Sequence, residues 1–214
     1  EINRSNFILK NDLLKEILEE DREINLNKLM ITKVPIGKVI KETDSTIEGL
    51  DKAIKKGHNT VTANLKFKKD KLFLGQDTPF EELIELLEEN QGTHIVVPCT
   101  KENIDLFAII YREYPFLCGR IIPEMDDFSL YRPLIAWRYD NLILNLEKNQ
   151  YEDEEIMEFI DRNPLFAIAI DKDRASTELP QKAKDKGTIS YAKGVKTKIT
   201  TKKLQKNQVY GIYK

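Results

Sequence analysis

From residue 31 to the C-terminus, short apolar runs alternate with amphipathic helical stretches, and no other feature limits the fold so tightly. Ile31–Gly37, Thr60–Phe67, Thr93–Val97 and Gly119–Ile122 read as strands, as do Asn141–Leu146, Phe166–Ile170, Thr188–Ala192 and Val209–Tyr213. Each but the last is followed by a helical stretch. Repeated strand–helix units imply parallel pairing, because each crossover needs a helix. Strands this short and this apolar suit a sheet covered on both faces. Eight units point to an α/β fold, a closed (β/α)8 TIM barrel that is small and lacks its last helix. A doubly wound open sheet is the rival, but the first strand lacks the G-x-G-x-x-G turn of its dinucleotide-binding form.

Local signals set the element ends. Ser45 reads as a cap, with Glu48 three residues on as in a capping box and Gly57 as the stop. Thr60–Phe67, the turn Asp70-Lys71 and Leu72–Leu74 form a hairpin. Pro79 is expected at the first position of the next helix. Gly119–Ile122 is expected to end before Pro123-Glu124-Met125. Residues 1–30 break the rhythm. They read as an N-terminal helical arm, with a helix from Asn11 or Asp12 to about Glu20, and residues 31–214 form the barrel.

Net charge is −2 and the charges are interspersed, which gives no global argument for nucleic acid. No apolar run approaches the ~18 residues of a membrane helix. Cys99 and Cys118 sit in apolar settings and read as two buried thiols rather than a disulfide or metal framework. The run Lys182–Lys206 is basic without interleaved aromatics, so it is a solvated face or a patch for an anionic surface.

The order of segments resembles the glycerophosphodiester phosphodiesterase family, within the wider phosphatidylinositol-phospholipase-C-like barrels. Asp44-Ser45-Thr46-Ile47-Glu48-Gly49-Leu50 is similar to the family's first helix start, and Val61–Asp77 to its second strand and hairpin. Gly119-Arg120-Ile121-Ile122-Pro123-Glu124, Asp153–Phe159 and the closing Gln208-Val209-Tyr210-Gly211-Ile212-Tyr213 add to the likeness. The resemblance implies phosphoric diester hydrolysis by two histidines and a divalent cation on carboxylates. This chain departs from that pattern. Lys33–Gly37, taken as the region after strand one, holds no His. Thr62 and Asn64 stand where the family has its Glu-x-Asp ligands. The hairpin returns with Gln76-Asp77 in place of His-Asp. Cys99 replaces the third acid, while Lys101 stays.

General acid–base work near neutral pH suits His best, and a hard cation needs carboxylate oxygens. His58 and His94 both start strands, at the rim opposite the active face of such barrels. The candidate ligand-binding residues are therefore Asn64, Gln76, Asp77, Lys101 and Glu124, with no metal site and no confident catalytic residue. Lys38, Lys66, Glu147, Lys148, Asp171 and Tyr191 complete the expected mouth. Tyr131 and Trp137 are sugar-stacking or helix-packing residues. The reading is a non-catalytic binding or scaffolding barrel for a phosphate- or glycan-containing ligand, with no cofactor. The alternative is a phosphodiesterase with a non-standard site, which alone would use a divalent ion. A structural ectodomain acting through protein contacts is a third reading. Glu1 is not an initiator methionine, and a trimmed start tilts the expectation towards a bacterial surface or exported domain.

Overall fold

In the computed structural model, the structure describes residues 37–214. The expected helix before Glu20 and most of the expected strand Ile31–Gly37 lie outside the described residues. Eight parallel strands form one sheet: β1 (Val39–Ile40), β2 (Thr60–Thr62), β6 (His94–Cys99), β7 (Ile121–Met125), β8 (Ile143–Asn145), β9 (Ala167–Ile170), β10 (Ile189–Ala192) and β11 (Gly211–Tyr213). The order runs β1-β11-β10-β9-β8-β7-β6-β2, and a parallel bridge from Lys41 to Val61 brings the two ends together. Its hydrogen bonds are Lys41 N to Thr60 O at 2.9 Å and Thr62 N to Lys41 O at 2.8 Å. The fold is the (β/α)8 barrel.

Helices α1 (Ile47–Lys55), α2 (Phe80–Glu89), α3 (Ile104–Glu113), α4 (Tyr131–Ala136), α5 (Asp153–Arg162), α6 (Leu179–Asp185) and α7 (Lys198–Lys206) make the crossovers; among the described residues none follows β11. Strand alternation sorts the buried residues into two sets. Ile95, Val97, Cys99, Ile121, Met125, Leu144, Ile168 and Ile170 join the apolar stripes of the helices, such as Leu83 and Leu87 of α2, in one core. Between them Val96, Ile122, Ile143, Ala167 and Ala169 are buried outside that core, on the strand face that fills the ring.

Several boundaries differ from expectation. Among the described residues the first barrel strand is Val39–Ile40, later in the chain than the expected Ile31–Gly37. The cap of α1 is Thr46, whose hydroxyl accepts from the Gly49 amide at 3.0 Å. Ser45 is instead buried with a positive φ of 61°, and its Oγ accepts from the Asn64 amide at 2.9 Å. Thr60–Phe67 is two strands in two sheets: β2 stays in the barrel, while β3 (Leu65–Lys68) pairs with β4 (Lys71–Leu74) and β5 (Thr78–Pro79). Lys69 and Asp70 both have positive φ in the two-residue turn between β3 and β4, as a primed hairpin turn requires. Pro79 is the cap of α2, not its first residue. Pro123 and Glu124 lie within β7.

Candidate functional site

The C-terminal ends of the strands make a mouth of about 150 Å³, lined by Glu42, Ser45, Thr62, Asn64, Pro98, Glu124, Lys193 and Tyr213, among others. Its centre is Glu124. Placement inside β7, with side-chain exposure of only 6%, buries this carboxylate. A buried carboxylate is costly unless paired and hydrogen-bonded. Both conditions are met: Lys193 Nζ stands 2.6 Å from Oε1, Asn145 Nδ2 donates to Oε1 at 2.7 Å, and the Tyr213 hydroxyl donates to Oε2. Burial first, and the charge of Glu124 second, push the Tyr213 hydroxyl well above its ordinary range, so it serves as a proton-bearing donor. The Lys193 ammonium also lies 4.5 Å from the centre of the Tyr213 ring and 3.9 Å from Glu147.

A second hollow adjoins the mouth through Ser45 and Asn64. It is a groove of about 740 Å³ between the start of α1 and the hairpin, lined by Asp44, Thr46, Lys66, Gln76, Asp77 and Glu82 among others. Gly75 gives it shape. Its φ is +62°, its amide donates to the Asn64 carbonyl at 2.8 Å, and a Cβ there would lie 2.5 Å from the Ser45 carbonyl oxygen. Lys66 donates to the Gln76 side-chain oxygen, and Lys68 reaches Asp77 at 3.4 Å.

The five sequence candidates therefore fall in three places. Asn64, Gln76 and Asp77 share the groove, Asn64 and Glu124 share the mouth, and Lys101 lines neither. Lys101 pairs with Asp127 at 2.7 Å. That hydrogen bond, with one from Ser129, holds the Asp127 carboxyl down to about 2. Cys99 belongs to the helix-facing core, so the β6 residue at the mouth is Pro98, one step away on the other face. Burial first, then Asp126, raises the Cys99 thiol. Cys99 and Cys118 are both buried and free. Lys38 borders a hollow with Ile189 and Gln208, near the starts of β10 and β11 rather than their ends. The Tyr191 hydroxyl donates to the Gly37 carbonyl, also at the far end. Tyr131 packs edge-on against Phe159, 5.5 Å between ring centres, and Trp137 packs on the core.

Sequence reading missed Glu42, Asn145, Lys193 and Tyr213. Lys193 directly follows the apolar run that ends at Ala192, and that position was its only local signal. Glu42 was hidden by the misplaced first strand.

Comparison with solved structures supports the same fold. A glycerophosphodiester phosphodiesterase from Parabacteroides distasonis superposes with a TM-score of 0.64 over 82% of this chain and 92% of its own, at 10% identity. The enzyme of the same name from Agrobacterium tumefaciens gives 0.62 over 82% and 95%, at 8% identity. A protein classed as a glycerophosphoryl diester phosphodiesterase, from Silicibacter pomeroyi, gives 0.67 over 83% and 89%, at 10% identity. The chain has the glycerophosphodiester phosphodiesterase fold. No family model and no curated sequence matches it.

Within that fold the residues just past strand one are Lys41, Glu42 and Thr43, not Lys33–Gly37, and no histidine stands there either. His58 precedes β2 and His94 is the first residue of β6, both at the opposite rim. Thr62 is tied to its neighbour: its Oγ1 accepts from the Thr43 amide and its carbonyl from the Thr43 hydroxyl. The divalent cation implied by the resemblance does not fit this donor set. Glu124 is engaged by three donors, one of them an ammonium, and Thr62 and Asn64 are neutral. Among the described residues no three His, Cys, Asp or Glu side chains gather closely enough to hold an ion. Glu124 accepts every one of these hydrogen bonds.

Proposed function

We propose that this barrel is a non-hydrolytic relative of the glycerophosphodiester phosphodiesterases whose mouth and groove bind a hydroxyl-rich ligand. The observation that carries the reading is the Glu124–Lys193 pair. A fixed ammonium stands beside the mouth's buried carboxylate and balances it from within. Proton transfer at neutral pH has no imidazole to carry it on this rim.

The charges of the lining favour a glycan or polyol over a phosphate. Mouth and groove present five carboxylates, Glu42, Asp44, Asp77, Glu82 and Glu124, against two lysines, Lys66 and Lys193. Such a surface repels a phosphate and offers acceptors to hydroxyl groups. Asn64 and Gln76 add amides that both donate and accept. Titration of the labelled chain with neutral oligosaccharides, glycerol and glycerol 3-phosphate, followed by amide NMR, tests this reading. Neutral polyols are expected to move the Asn64 and Gln76 resonances, and Asn64→Ala to weaken the response. Tighter binding of glycerol 3-phosphate than of any neutral polyol would refute the ligand class.

A further inference from the structure

Between Leu179 and Lys214 the chain carries ten lysines and one acidic residue, Asp185, although the whole chain has a net charge of −2. Helix α7 concentrates this excess. Lys198, Lys202, Lys203 and Lys206 are all exposed, as is Lys196 just before the helix. The ion pairs of this part of the barrel engage Lys182, Lys186 and Lys193 instead. Among the described residues none engages a lysine of α7.

The placement of these lysines is not neutral for the helix. The N-terminus of a helix favours acids, and α1, α2, α3 and α5 each carry Asp or Glu in the first turn. The first turn of α7 has no acid and holds Lys198. At 3.6 residues per turn, the four lysines of α7 fall within an arc of roughly 140°, opposite the buried Leu204. Ile199 lies inside that arc and is 71% exposed.

We propose that the outer face of α7 docks on an anionic lipid bilayer, with its lysines at the level of the phosphates and Ile199 inserted below them. Unpaired lysines around an exposed isoleucine match a partner with a negative surface and an apolar interior. A nucleic acid or a soluble polyanion would engage the lysines and leave Ile199 in water.

The test is co-sedimentation of the full chain with vesicles of phosphatidylcholine alone or mixed with phosphatidylglycerol, at low and high salt. Binding is expected on the mixed vesicles only, weakening with salt. Lys202→Glu with Lys203→Glu should lower it by about tenfold or more. Ile199→Ser should lower vesicle binding by about threefold to tenfold, yet leave binding to soluble polyphosphate unchanged. Unfolding midpoints of the variants control for folding. No binding to the mixed vesicles, or binding that survives the double lysine variant, would overturn the proposal. So would vesicle binding indifferent to Ile199, which would assign the face to a soluble polyanion.

Discussion

Lys193 and Glu124 are 69 residues apart in sequence and 2.6 Å apart at the barrel mouth. The carboxylate comes from β7 and the ammonium from the residue after β10, so only the closed ring joins them. Their side chains are 14% and 6% exposed. In that setting the pair matters less for what it adds than for what each partner would cost alone.

Lys193→Met should therefore destabilise the barrel by about 3 kcal/mol, because it leaves Glu124 buried beside only neutral donors. Adding Glu124→Leu should restore much of the loss, since no uncompensated charge remains. Urea unfolding of the single and double variants measures both. A single variant within about 0.5 kcal/mol of the parent would mean that Glu124 is solvated.

Gly211→Ala should cost about 2 kcal/mol or more. A Cβ there would stand 2.4 Å from the Lys38 carbonyl oxygen and 2.7 Å from the Tyr191 ring, in the seam where β11 meets β1. Gly92→Ala meets nothing within 4 Å and should stay within about 0.5 kcal/mol. The same urea titration compares the two.

Stability should fall as the solution is acidified below about pH 6.5. Burial first, and Arg120 second, lower the pKa of His94 from its ordinary value of 6.5 in the folded chain. The unfolded chain then binds a proton that the folded chain resists, so acid favours unfolding until the folded imidazole itself titrates. Urea midpoints at pH 7.5 and pH 5.5 should differ less in His94→Gln than in the parent. Equal differences would remove His94 from the account.

The barrel was legible in the sequence because strands buried on both faces must be apolar runs, and crossovers must be amphipathic. The end signals of helix α5 (Asp153–Arg162) are local: acids crowd its first turn, and Asn163-Pro164 lies beyond its end. β1 was not legible. It is two residues long and is held by partners at the far end of the chain, Ile212 and Tyr213. Cys99 was matched to the family's third acid, yet it belongs to the helix-facing core; one residue along a strand exchanges faces, and Pro98 lines the mouth. Asn64, Gln76 and Asp77 are near in sequence and were grouped by the hairpin. The Glu124–Lys193–Tyr213 cluster needed ring closure, which no window of sequence contains.

The most direct measurement is hydrolysis of glycerophosphodiesters by the full chain with and without millimolar Ca²⁺ or Mg²⁺, run beside thermal unfolding in the same buffers. The account predicts no turnover above buffer and no ion-dependent rise in midpoint. Turnover that requires the ion, together with a raised midpoint, would contradict it.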